Sequence, residues 1–197
     1  MTIKVLVTTM HRGNNFGSAL QVYALTDVLG SLGTIPIVLD YIPERIRFSK
    51  VLSGTLKTLF SFSATVSLRY QAFRGLCILL SNAYYYNRFF RRELSMTRSY
   101  HSVEEIEKAN LLADVYMTGS DQVWNSTHNQ GIDRVFFLDF LPEEAKRVAY
   151  AASFGKTELE EWEKDITKTL LNRYSAISVR ESSALGILES IDIHNGV

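Results

Sequence analysis

The first apolar run of the chain, Ile3 to Thr8, does not alternate. A strand with one face in water reads apolar and polar in turn. A strand covered on both faces reads as continuous, β-branched apolar sequence. Ile3-Lys4-Val5-Leu6-Val7-Thr8 is of the second kind, apart from one lysine. A loop comes next, His11-Arg12-Gly13-Asn14-Asn15-Phe16-Gly17, and Ser18 then starts a predicted helix. Its Val22, Leu25, Val28, Leu29 and Leu32 share a face, and Gly30 and Gly33 close it. Ile35 to Asp40 is a second run. Strand, helix and strand within residues 3–40 leave room only for a parallel, right-handed crossover.

The alternation resumes later. Ser102 and Glu105 have the spacing of a capping box before a short helix ending near Asn110. Ala113 to Thr118 is an apolar strand, followed by a polar loop and a Val135–Phe140 segment. Arg147 to Ala152 reads as a strand, Glu158 to Arg173 as an amphipathic helix, Ala176 to Val179 as a strand, and Ser182 to Leu188 as the start of a helix. The predicted class is α/β, a Rossmann-like parallel sheet with a helical insertion. The insertion occupies about residues 44–100, which are rich in aromatic and basic residues and poor in turn signals.

Bulk properties exclude several classes. A chain of 197 residues with 46% hydrophobic content can bury a core. Its 21 basic and 21 acidic residues cancel, so no global field favours nucleic acid, and none is expected as a partner. Cys77 is the one cysteine, which rules out an internal disulfide; in its apolar surroundings it reads as a small buried hydrophobe. His11, His101, His128 and His194 are dispersed without ligand spacing, so no metal is expected, and His11 reads as an ordinary exposed loop residue. The first residues form a strand rather than a secretory core. Lys57, Arg69, Arg74 and Arg88 interrupt the apolar region from Val51 to Phe90, so it does not span a membrane. It suits either a hairpin covering its own domain, the plainer reading, or a helix lying on a membrane surface.

Three loops lie at strand ends, where α/β folds place ligands. In the first, Gly17 permits close approach, Asn14 and Asn15 suit a ligand or a plain turn, and Ser18 and Gln21 lie one helical turn apart. Neither the dinucleotide nor the P-loop glycine pattern is present. The second is the densest, Gly119-Ser120-Asp121-Gln122-Val123-Trp124-Asn125. Amide and carboxylate groups beside an indole suit a polyhydroxylated ligand, with Ser120, Asp121, Gln122 and Asn125 bonding hydroxyls and Trp124 stacking. The alternative is that Ser120 or Asp121 caps a helix and Trp124 is core. The third, Ala151 to Lys156, contains Ser153, and its small residues allow close approach to the first loop. Arg180 and Glu181 form a pair at a strand-to-helix junction, where Arg180 either binds an anion or holds the helix start.

Read in order, Asn14–Leu25, Val38–Tyr41, Gly119–Asn125, Phe137–Phe140, Lys146–Gly155 and Ile177–Glu181 resemble the polysaccharide pyruvyl transferase family over nearly the whole chain. The resemblance implies half of a fold similar to the GT-B glycosyltransferases. Residues 1–197 would be the N-terminal, acceptor-side domain, with the donor-binding domain apparently absent. It implies transfer of a pyruvyl group from phosphoenolpyruvate, with no cofactor, to a sugar or lipid-linked saccharide of a cell-surface polysaccharide. Asp121 is then the candidate base. Asn14, Asn15, Gly17, Ser18, Gln21, Ser120, Gln122, Trp124, Asn125, Ser153 and Arg180 line the acceptor site. The location implied is the cytoplasm, at or near the inner face of the membrane, and a lone half is expected to self-associate through its uncovered surface. The competing readings are a noncatalytic sugar-binding or scaffold domain, and half of a GT-B glycosyltransferase that uses a nucleotide sugar.

Overall fold

The computed structural model describes residues 2–12, 15–61 and 65–194. Five parallel strands form one sheet in the order β2-β1-β3-β4-β5. They are β1 (Lys4–Thr8), β2 (Ile35–Val38), β3 (Val115–Thr118), β4 (Arg147–Ala152) and β5 (Tyr174–Val179). The continuous apolar runs have the cause expected of them. Val5 and Val7 face a core shared with Leu25 and Leu29, while Leu6 faces the larger core on the other side. That larger core joins Trp124, Phe136, Phe137, Phe154, Tyr174 and Ile177 to residues of the last two helices, α6 (Glu161–Leu171) and α7 (Ser182–Ser190).

The first helix, α1 (Phe16–Ser31), begins two residues before the expected Ser18. The Asn15 side chain accepts the Gly17 N–H and caps it. Val22, Leu25 and Leu29 are buried, but Val28 and Leu32 are 54% and 72% exposed at the rim of the face. Gly30 lies inside the helix, and Gly33, at φ 79°, makes the left-handed turn into β2.

The insertion contains α2 (Phe48–Phe60) and the 28-residue α3 (Val66–Glu93), and α4 (Val103–Ala109) follows it. Ser102 caps α4 by accepting the Glu105 N–H. Glu105 returns the bond to the N–H of His101 rather than to that of the cap residue, one position off the reciprocal box expected. Cys77 is exposed, contrary to the buried site expected, because this part of α3 packs on α2 through another face. Past α3 the chain returns to the sheet, where Val38 bonds Ser95 and Thr97 and Asp40 bonds Tyr100. This strap brings Thr97 and Ser99 to the end of β2.

The Val135–Phe140 segment is a 3-10 turn, Arg134–Phe137, ending in left-handed Leu138 at φ 55°. Arg147, fully buried at the start of β4, organises the loop between this turn and the strand. Its guanidinium donates to five carbonyl oxygens, those of Leu138, Leu141, Pro142, Glu143 and Ala145. Burial lowers its pKa first, with the nearby Arg173 charge adding to the effect.

Candidate acceptor site at the strand ends

The sheet order reverses at β1, because β2 lies on one side of it and β3 on the other. Crevices of this kind, beyond the carboxyl ends of the strands, bind ligands in open α/β folds. Here groups from the first two loops meet across the crevice. Ser18, in the first turn of α1, donates from Oγ to Asp121 Oδ2 at 2.5 Å. Asp121 Oδ1 accepts the Gln122 N–H at 2.8 Å. Thr9 Oγ1 donates to the Ser120 carbonyl at 2.6 Å, tying the first loop to the second. Gly119 eases this approach, since a Cβ there would stand 3.1 Å from both Thr9 and Leu25 and crowd them.

Asp121 has φ 94°, a conformation that costs a non-glycine residue of order 1–3 kcal/mol and persists only where its surroundings impose it. The surroundings are visible. The Asp121 carbonyl accepts from Val123 and Ser153, and the Trp124 N–H returns a bond to Ser153 O. The third loop therefore docks on the second, not on the first as its small residues had indicated. The aspartate lies near the N-terminus of α1, where the helix dipole favours a negative charge.

The remaining predicted residues divide by exposure. Ser18, at 7% exposed, is spent on Asp121, and Asn15 caps α1 beside Gly17. Gln21 is partly buried, and its Nε2 has no hydrogen-bond partner among the described residues, which leaves a donor to satisfy beside this crevice. Asn14 lies outside the described residues. Ser120 and Gln122 are half-buried.

Trp124 is not a stacking wall for a ligand. It is 2% exposed, stacks on Phe137 at 5.6 Å, and donates its indole N–H to the Phe136 carbonyl. Burying a large aromatic surface outweighs leaving it for a ligand, so Trp124 braces the loop. Asn125 is also internal. It caps α5 (Ser126–Asn129) by accepting the His128 N–H, and its amide donates to Gln122 Oε1 at 2.9 Å. Gly155, at φ 61°, permits this packing, since a Cβ would come within 2.6 Å of the Asn125 amide. Ser153 is fully buried. Its hydroxyl donates to Glu181 and accepts from Gly155 and Arg180, so it positions these groups and has no surface for a ligand. Arg180 pairs with Glu181 at 3.3 Å and is 42% exposed along its side chain. It presents a cation to solvent at the end of β5.

A family model described as polysaccharide pyruvyl transferase matches residues 15–195. The chain belongs to the polysaccharide pyruvyl transferase family. No curated protein and no solved structure matches it.

This pyruvyl transferase family chain also holds a polar cluster that sequence reasoning missed. His11 is 1% exposed, not a free loop residue. Its Nε2 lies 3.1 Å from Asp40 Oδ1, its Nδ1 lies 3.1 Å from the Thr9 carbonyl, and its ring meets Phe90 edge-on. Both ring nitrogens thus face acceptors. Arg12 grips both Asp40 oxygens, at 2.7 and 2.6 Å, and Ser99 donates to Oδ2. Burial opposes ionisation of Asp40. The hydrogen bonds from His11, Arg12 and Ser99, together with the Arg12 charge, outweigh burial and hold the carboxyl well below the usual carboxylate range. The cluster lines a cavity of about 680 Å³ together with Asn87 and Arg91 of α3 and with Arg98, and Arg12 also donates to Asn87 Oδ1. The signal available in sequence was Asp40 two residues past a strand, with His11 and Arg12 three and four residues past its neighbour.

A folded-state pKa below the unfolded one gives stability that is present at neutral pH. That stability is lost as pH falls below about 3.8, the ordinary value, toward the depressed one. Replacing Asp40 with asparagine removes the charge facing Arg12 and His11. The expected result is a loss of about 2–3 kcal/mol at pH 7. The gap between variant and parent should narrow in acid, as measured by urea titration at a series of pH values. A gap independent of pH would show that the carboxylate charge contributes nothing.

Proposed function

We propose that the Ser18–Asp121 crevice holds a sugar hydroxyl for addition to phosphoenolpyruvate, making the chain the acceptor side of a polysaccharide pyruvyl transferase. The observation that carries the reading is the Asp121 carboxylate. Its residue is held at φ 94° by backbone bonds from Val123 and Ser153, oriented by Ser18 at 2.5 Å, and set at the reversal point of the sheet. In the reaction a sugar oxygen bonds to the carbon bearing the phosphate. The hydroxyl proton passes to Asp121, and the donor methylene gains a proton to become a methyl group. A second hydroxyl of the same sugar then displaces inorganic phosphate and closes the ketal. Gln122 and Ser120 would orient the sugar, and Arg180 would offset negative charge at the mouth of the crevice. Because phosphoenolpyruvate is a cytoplasmic metabolite, the reaction is assigned to the cytoplasm, in assembly of a cell-surface polysaccharide.

The test is an assay of the intact gene product with phosphoenolpyruvate and a panel of mono- and disaccharide acceptors. The expected result is acceptor-dependent phosphate release, with a pyruvylated saccharide seen by mass spectrometry. Saccharide binding by calorimetry with no phosphoenolpyruvate binding or transfer would instead establish the noncatalytic sugar-binding reading.

A further inference from the structure

The neutral net charge of the chain hides a strong asymmetry. Residues 48–92 contain seven basic side chains, Lys50, Lys57, Arg69, Arg74, Arg88, Arg91 and Arg92, and no aspartate or glutamate. The other 152 residues carry 14 basic and 21 acidic residues. The excess positive charge therefore sits on α2 and α3, whose one carboxylate, Glu93 at the end of α3, pairs with Arg92 at 3.0 Å.

The same helices expose apolar surface. Ala72, Leu76, Ala83, Tyr86 and Phe90 form the covered face of α3. Away from that face Val66, Tyr70, Phe73 and Tyr84 are 85%, 61%, 57% and 59% exposed. At 100° per residue these four fall within about 60° of one another and run for ~27 Å along the helix. Phe60, at the end of α2, is 83% exposed. Exposed arginines accompany the stripe. Arg74 lies over the Tyr70 ring at 5.8 Å, Arg88 reaches the Tyr84 hydroxyl, and Arg69 bonds the Ser61 carbonyl. No helix among the described residues is long and apolar enough to cross a membrane.

We propose that the α2–α3 hairpin docks on an anionic membrane surface, with the Val66–Tyr84 stripe entering the interface and the arginines meeting lipid headgroups. Tyrosine and phenylalanine suit the boundary between headgroups and acyl chains, and long arginine side chains lie along apolar surface while their charges reach phosphate. The charge decides the occupant. A symmetric contact with a second copy of the chain would set one hairpin of seven cations against another, whereas an anionic bilayer complements it. The proposal is independent of the reading of Asp121.

Cys77, the one cysteine of the chain, lies in the stripe and is exposed, so it can carry an environment-sensitive fluorophore without any substitution. The full chain is mixed with vesicles of phosphatidylcholine alone or with phosphatidylglycerol added. The expected result is flotation with the anionic vesicles, a blue shift of the label, and reversal by salt. The triple variant Arg69→Gln, Arg74→Gln, Arg88→Gln should weaken partitioning by about 100-fold at low salt. Its fold would be checked by circular dichroism. Failure to float, or equal flotation with neutral vesicles, overturns the proposal. A concentration-dependent blue shift without vesicles, accompanied by a dimer in light scattering and no flotation, would also overturn it by assigning the stripe to a second copy.

Discussion

Asp121→Asn is expected to lower pyruvyl transfer by about 10²–10⁴-fold while leaving the fold intact. The substitution is nearly isosteric, and asparagine tolerates the positive φ of 94° better than most residues. The asparagine Oδ1 can still accept the Gln122 N–H, and Nδ2 can donate to Ser18 Oγ, reversing that bond without moving either side chain. What disappears is the capacity to take a proton from a sugar hydroxyl. The loss should therefore appear in kcat with little change in KM. Ser18→Ala keeps the carboxylate but frees its orientation, so its effect should be smaller. Unchanged kcat for Asp121→Asn in the intact gene product would remove Asp121 as the base and leave it as a loop-forming residue.

Arg147→Lys is expected to cost about 3–5 kcal/mol of stability, more than any surface substitution. The arginine is fully buried, and its planar fork meets five carbonyl oxygens between Leu138 and Ala145. A lysine has three donors on one nitrogen, cannot reach both sides of the loop, and keeps a strongly hydrated charge inside. With an m-value of about 2 kcal/mol/M, the urea midpoint should fall by about 2 M. The neighbouring Arg173 would retain its own bonds to Leu141 and Asp139, so the damage should centre on residues 138–147. Hydrogen exchange localised there would match this account. A midpoint within a few tenths of a molar of the parent would contradict it.

Much of the sheet was legible because its signal is local. Val5, Leu6 and Val7 announce burial on both faces, and Gly33 announces the turn after a helix. The motif loop was recognisable from composition, but the roles of its residues were not. Trp124 and Asn125 carry the same chemistry whether they meet a ligand or the core. The partners that claim them, Phe137 and the His128 N–H, depend on how the 3-10 turn and α5 pack. Ser153 shows the same limit, since Glu181 and Arg180 reach it from another strand end. His11 and Asp40 were missed because residues 29 apart meet only after β1 and β2 pair, and Ser99 joins them from beyond the helical insertion.

From sequence alone come the α/β class, the parallel crossover, the helical insertion and the family, because periodicity and ordered motifs are properties of the chain itself. Tertiary structure alone decides which polar groups remain to act. Parallel pairing brings the ends of β1, β3, β4 and β5 to one edge, and there hydrogen bonds formed across loops consume most candidates. Asp121, Gln122 and Arg180 stay at the surface of that edge, while Trp124, Asn125 and Ser153 are drawn inward. A buried polar group must find a partner inside the protein, and which partner is near is set by the fold rather than by the residue.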